Sequence, residues 1–447
     1  MVISQSAETL LNQLNHAGYE AFVVGGCVRD MLMGIEPHDF DITTSATPYE
    51  VKCVFSNYRV IETGLKHGTV TVLVDSEPFE ITTYRTESTY SDSRHPDSVQ
   101  FTRSLTEDLA RRDFTVNAIA YNPSVGLIDP FGGQADIQNK LLRCVGTPTE
   151  RFAEDALRIL RLLRFASVLG FQVDRSTAEA AFQLKEKLVY VSAERTQVEL
   201  CKLLCGKGAG DIIIQYIDIL SAIIPELLPM KHFEQRNPYH IYDVLVHTAK
   251  TIDATPPEKT LRLSALFHDI AKPSVFSLDE NGIGHFYSHA SIGHSITETI
   301  LSRLKFDNAT KNTVARLVKW HDIQIEANEK AVKSALGKMT PDFFFTLLAL
   351  KRADNLAQNP KYSNRQTCYN TLESIAKNIL ERQICFSLKD LAIDGNDLVS
   401  IGFRPGKTMG IILKQLLDDV IQEKIENERD ALLKKAQELE KDIQYET

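Results

Sequence analysis

Three apolar residues, Phe22-Val23-Val24, are followed at once by Gly25-Gly26 and then by residues 28–33 with helical periodicity. The pattern reads as a buried strand, a glycine turn and the start of a helix. A short amphipathic helix precedes it. Two β-rich runs, residues 68–74 and 79–84, flank Asp75-Ser76-Glu77-Pro78 and predict a hairpin. Residues 85–99 are polar and turn-rich with no apolar period, which predicts a flexible loop near a site. Beyond it Leu109, Phe114, Val116 and Ile119 form an apolar stripe, leaving Arg111, Arg112, Asp113 and Asn117 polar. After Pro148 the periodicity becomes helical and stays so. Phe152, Ala156, Ile159, Leu160, Leu163 and Phe165 at three-and-four spacing predict one helix over 151–169, with Glu154, Asp155, Arg158 and Arg161 on its other faces. On that helix Asp155 and Arg158 are neighbours able to pair. The fold class expected is α+β: a head with a small mixed β-sheet, then an elongated all-helical remainder.

A chain of 447 residues has room for roughly two to four units, since one core rarely grows past about 250–300 residues. Hydrophobic and charged fractions of 43% and 24% are those of an ordinary globular protein. No apolar run approaches the roughly 20 residues that cross a bilayer, and the N-terminus MVISQSAETL lacks a signal peptide's basic and apolar regions, so a cytoplasmic protein with no membrane partner is expected. Seven cysteines, odd in number and without a Cys-x-x-Cys pair, predict reduced thiols rather than a disulfide framework or zinc ribbon. The formal charge of −9 has the wrong sign for binding nucleic acid all over the surface, so an RNA partner requires a local basic strip.

Candidate chemistry begins at the glycine turn. Amides at a helix N-terminus favour anions and glycines admit a close phosphate, so a polyphosphate can sit at Gly25 and Gly26 with Arg29 nearby. Asp39 and Asp41 fall on one face of an extended segment, because side chains alternate there, and paired carboxylates suit Mg²⁺. Glu80, on a strand beside them, is either a third carboxylate or a strand-edge residue facing water. Taken separately, a glycine pair is an ordinary turn and an Asp-x-Asp triplet an ordinary solvated loop.

In this order they are less ordinary. Gly25-Gly26-x-Val28-Arg29-Asp30, Gly34, Asp39-x-Asp41 and Thr43-Thr44 resemble the head of the nucleotidyltransferase superfamily, in particular the bacterial CCA-adding enzymes and their poly(A) polymerase relatives. The resemblance implies a Mg²⁺ triad of Asp39, Asp41 and Glu80. It implies Arg112 and Asp113 as nucleotide contacts with Asn117 as support, from the spelling Arg-Arg-Asp-x-x-x-Asn-Ala. In Glu-Asp-x-x-Arg it implies Asp155 and Arg158 as the elements that select C or A without a template, with Arg161 beside them at the nucleotide. Without the resemblance, these arginines and Asp155 are an ordinary solvated face and surface pair.

His247, His268-Asp269 and Asp354 occur in the order used by HD-domain phosphohydrolases, with Lys272 after the central pair. Imidazoles and carboxylates on separate helices can converge on a divalent transition metal. His289, His294 and His321 are each expected to be surface or core residues, and His321-Asp322 is not expected to make a second site. The tail, with Pro405-Gly406-Lys407 opening a helix, resembles that of Gram-positive CCA-adding enzymes.

The boundaries expected are 1–148 for a catalytic head, 149–230 for a helical neck and body that selects the base, 231–375 for an HD-type helical domain and 376–447 for a tRNA-binding tail. The function implied is addition or repair of the 3′-terminal CCA of tRNA from CTP and ATP. Rivals are a poly(A) polymerase, a CC-only or A-only enzyme, a metal phosphohydrolase with an inactive head, and a non-catalytic RNA-binding module. Monomer and homodimer both stay open.

Overall fold

The structure, a computed structural model, describes residues 1–87, 99–362 and 364–445. They divide into two compact units: Met1–Leu228 with Arg303–Phe306, and Pro229–Ser302 with Asp307–Thr447.

The first unit opens on the helix Gln5–His16, capped by the Ser4 side chain on the amide of Ala7. Its sheet contains β1 (Ala21–Val24), β2 (Ile42–Thr44), β3 (Arg59–Gly64), β4 (Thr69–Val74), β5 (Glu77–Thr83), β8 (Ala120–Asn122) and β9 (Gly126–Ile128) in the order β3-β4-β5-β2-β1-β8-β9. All four residues of β1 are buried, as the unbroken apolar run requires. The expected hairpin is β4 and β5, paired from Val74 opposite Glu77, so the turn is Asp75-Ser76 alone. Both take positive φ, 49° and 70°, as a primed two-residue turn demands. β2 runs parallel to β5 with Ile42 opposite Ile81. That register sets Asp41 and Glu80 side by side, one step before the paired residues. Phe22, Val24, Tyr84, Leu105, Leu109, Ala118, Ala120 and Val145 pack as a core cluster of this sheet and its flanking segments.

The stretch expected as a loop begins and ends as strands: β6 (Arg85–Glu87) pairs antiparallel with β7 (Val99–Phe101). Residues 88–98 between them, where the flexible loop is expected, lie outside the described residues.

The helix expected over 151–169 is two helices, Pro148–Glu154 and Leu157–Leu169. Asp155 between them is extended, at φ −140° and ψ 104°. Its Oδ1 accepts the amide of Leu157 at 3.0 Å, supplying the new helix with a side-chain acceptor the apolar pattern does not encode. Helices Arg175–Leu184, Ala193–Leu204 and Ala209–Leu220 follow in the same unit.

The second unit is helical apart from one short antiparallel strand pair, Ser277–Leu278 with Gly284–His285, which the expected all-helical remainder did not include. Val244–Ala254 packs on Lys259–Phe267 and Pro341–Leu356, and Asn308–Trp320 packs on the latter two. Its last helices, Lys407–Ile421 and Arg429–Tyr445, share a core built on Phe403, Ile412, Leu416, Leu432 and Ala436.

Candidate functional site

A cavity of about 770 Å³ lies in the first unit, and the sequence pattern accounts for much of its wall. Gly25, Gly26, Arg29, Asp39, Asp41, Arg112, Asp113, Asn117, Asp155, Arg158 and Arg161 all line it. Eight arginines and one lysine stand against five aspartates there, a local excess of positive charge in a chain of −9. Positive charge is thus concentrated locally although the chain as a whole is acidic.

Gly25 links β1 to the helix Gly26–Leu32 at φ 82°, and a Cβ at this position would come within 3.0 Å of Arg112 Nη1. Only glycine meets both conditions without strain. Arg29 is buried, donating to Asn117 Oδ1 at 2.6 Å and pairing with Asp30 at 2.7 Å. Asn117 in turn donates to Asp113 Oδ1 at 3.1 Å, which also accepts the Phe114 amide at 2.9 Å. The other oxygen, Oδ2, takes Arg161 Nε at 2.7 Å. Burial raises the Asp113 pKa, but Arg161 and Asn117 outweigh it and hold the carboxyl below its usual range. Asp113 therefore organises its neighbours, with both oxygens engaged inside the protein.

Asp155 pairs with Arg195 at 2.7 Å, a partner forty residues on. Arg158 donates to Glu154 Oε2 at 2.5 Å and to the carbonyls of Arg151 at 3.1 Å and Arg111 at 3.0 Å. The helix break at Asp155 sends the two side chains to different anchors.

Asp39 and Asp41 are exposed at the cavity wall. Partial burial first, and then the negative charges of Asp39 and Glu80, push the Asp41 pKa up, with Arg112 opposing. A hard-oxygen donor set under mutual repulsion fits Mg²⁺, which binds through one or two carboxylates plus substrate phosphates. Glu80 is exposed and does not line the cavity. Among the described residues, the groups of three or more ligating side chains gathered within 4.8 Å are histidine clusters in the second unit, not the head carboxylates.

Those clusters are His247 with His268 and Asp354, and Asp269 with His289 and His321. His247 and His268 bring their Nε2 atoms to 3.2 Å of each other, and His247 Nε2 lies 3.1 Å from Asp354 Oδ1. Asp269 is buried beside them, with Lys272 Nζ at 2.7 Å. His289 and His321 are core residues, and their Nε2 atoms meet at 3.1 Å. Burial first, and then His268 and His289 nearby, push the His321 pKa down to about 3. His294 keeps its bland role, bonded through Nδ1 to the Ala315 carbonyl at 3.0 Å and facing Glu298 at 3.5 Å.

Several wall residues that the sequence reading gave no site role also line the cavity: Arg111, Arg164, Arg195, Lys202, His67 and Arg85. Arg158, Arg161 and Arg164 recur every third residue on one helix, a stripe that was legible; Arg195 and Lys202 carry no such signal. Buried Asp108 binds Arg111 at 2.8 Å and accepts from Thr43 Oγ1 at 3.0 Å, fixing the arginine pair to β2. All seven cysteines are free, as expected. No helix among the described residues is long and apolar enough to cross a membrane.

Residues 21–143 match the family model of the poly A polymerase head domain. Residues 170–230 match the probable RNA- and SrmB-binding site of polymerase A, and 277–436 a putative domain 2 of tRNA nucleotidyltransferases. Sheet, glycine turn and cationic cavity define a nucleotidyltransferase, a class whose chemistry depends on a divalent metal. The chain is 35% identical to the CCA-adding enzyme of Limosilactobacillus reuteri (strain DSM 20016), over 98% of each, and 35% to that of Levilactobacillus brevis, over 96% of each. Its fold resembles that of the Bacillus stearothermophilus CCA-adding enzyme in complex with CTP, with a TM-score of 0.76 over 99% of each chain at 26% identity. The chain belongs to the CCA-adding enzyme family.

Proposed function

We propose that this protein adds or repairs the 3′-terminal CCA of tRNA from CTP and ATP, without a nucleic-acid template, releasing pyrophosphate. The carrying observation is the cavity, where the glycine turn, the arginine-rich wall and Asp39 with Asp41 face one space. The terminal ribose hydroxyl attacks the α-phosphate in line; the new P–O bond forms as the bond to the β-phosphate bridge breaks. Gly25, Gly26 and Arg29 receive the triphosphate, and the cationic wall holds the charge that pyrophosphate carries away. Asp39 and Asp41, with Glu80, would hold two Mg²⁺ ions, which when bound stabilise charge on the attacking and leaving oxygens. Glu80, outside the cavity wall but set beside Asp41 by the strand register, would take the proton of the hydroxyl. Arg112 contacts the nucleotide, Asp113 and Asn117 position the arginines around it, and Asp155 and Arg158, with Arg161 beside them, present donors and acceptors to the base.

Functionally we divide the chain into the head at 1–148, the base-selecting neck and body at 149–230, an HD-type domain at 231–375 and a tRNA-binding tail at 376–447. Convergence of His247, His268 and Asp354 favours a second reading for the HD-type domain: a transition-metal site serving phosphohydrolysis.

The head assignment is tested by Asp39→Ala. Incorporation of CTP and ATP should vanish while the circular dichroism spectrum and the metal content of the HD-type domain stay unchanged; retained incorporation removes the assignment.

A further inference from the structure

One aromatic ring stands among the cations of the head cavity. Phe165 lines the cavity together with Arg29, Arg161 and Arg164, and their guanidinium carbons lie 5.2, 5.4 and 3.9 Å from its ring centroid. Among the described residues, no other ring has more than one cation over it.

The cations reach the ring from separate places in the chain. Arg161 and Arg164 share with Phe165 the helix Leu157–Leu169, where a spacing of four makes Arg161 and Phe165 neighbours on the helix surface. Arg29 comes from the helix Gly26–Leu32, beside the glycine turn. Each arginine has oxygen partners of its own: Asp30 and Asn117 for Arg29, Asp113 for Arg161, and Glu199 at 3.2 Å for Arg164. Among these contacts, the ring is the one that all three share.

Like charges gathered around one ring repel. Burial first, with Arg161 and Arg29 adding to it, pushes the Arg164 pKa down, and Glu199 and Asp113 oppose the shift. The face of an aromatic ring carries partial negative charge, and a guanidinium within about 6 Å of its centroid is attracted to it, the more so where water is excluded. Phe165 is 7% exposed, and the sealed ring of Phe114 meets it edge to face at 5.7 Å and 81°. Its place is thus fixed by packing rather than by the cations it attracts.

We propose that Phe165 is a positioning residue for the nucleotide's triphosphate: its π-face holds Arg29, Arg161 and Arg164 converged on the cavity before an anion arrives to neutralise them. The proposal rests on the reading of this cavity as the nucleotide site and gives an apolar side chain a role within it. Cations arranged in advance lower the cost of binding. Weakening the ring's charge therefore acts on nucleotide affinity more than on the chemical step. A ring that only fills space would be indifferent to its charge, and the test separates the two.

Phenylalanine bearing one, two or three ring fluorines is placed at position 165 of the full-length protein, since fluorine withdraws π-charge and leaves the size of the ring nearly unchanged. Steady-state kinetics then follow incorporation of CTP into tRNA lacking its last three nucleotides and of ATP into tRNA ending in CC. KM for both nucleotides should rise with each added fluorine, to about tenfold at three, with kcat within about twofold of wild type. Phe165→Leu, which keeps an apolar side chain and loses the π-face, should raise KM at least as far; should that variant not fold, the fluorinated series decides alone. A KM that stays flat across the series, in an enzyme that extends both tRNAs, overturns the inference and leaves Phe165 a packing residue. Wild type that extends neither tRNA removes the reading of the cavity, and the inference with it.

Discussion

Arg161 of the helix Leu157–Leu169 is ion-paired to Asp113, its Nη2 2.5 Å from Oδ2, so the helix that follows Asp155 is tied to the segment that carries Arg112. Asp113→Ala would strand Arg161 and release Asn117 from its 3.1 Å bond. A stability loss of about 2–3 kcal/mol is expected, below the value for a fully sealed pair because Arg161 is one-third exposed. Incorporation should fall for CTP and ATP alike, as steady-state kinetics would record.

The same pair sets a pH dependence. The folded-state pKa of Asp113 is depressed, so its stabilisation is fully present above the unfolded value of about 3.9 and is lost as pH falls through the folded value. The difference in thermal midpoint between wild type and Asp113→Asn should hold constant from pH 7 to about pH 5 and shrink below about pH 4. A difference that grows on acidification would mean the carboxylate is not the stabilised form.

Relief of repulsion separates stability from catalysis at the head carboxylates. Asp41→Asn removes a charge opposed by Asp39 and Glu80. Its thermal midpoint should equal or exceed that of wild type, while incorporation drops by about 10²–10³-fold. A parallel loss of both would assign Asp41 a structural role.

Arg195 holds Asp155, so Arg195→Ala should loosen base choice more than turnover. The ratio of kcat/KM for CTP over UTP is expected to fall about tenfold, with partial recovery in Arg195→Lys. An equal fall for all four nucleotides would place Arg195 at the phosphates instead.

Gly25→Ala combines positive φ with the close approach of Arg112, at a cost of about 1–3 kcal/mol. Displacing Arg112 should raise KM for both nucleotides. An unchanged KM would show that Arg112 is not part of the nucleotide wall.

What was legible in the sequence was local. β1, the glycine turn and the β4–β5 hairpin follow from apolar runs and turn residues a few positions apart, and Asp39 with Asp41, read as one face of an extended segment just before β2, both line the cavity. The break at Asp155 was not, because the apolar stripe runs through it and a single side-chain bond to the Leu157 amide decides the issue. Arg195 is brought to Asp155 by helix packing, which leaves no mark in either segment. His289 and His321 read as ordinary histidines because their meeting depends on where two helices begin and end.

The most direct measurement incubates the protein with tRNA lacking its last three nucleotides, together with CTP, ATP and Mg²⁺, and sequences the 3′ ends. The account predicts products that end in CCA and stop, with CC accumulating when ATP is withheld. A continuing run of A, or ends left unextended, would contradict it.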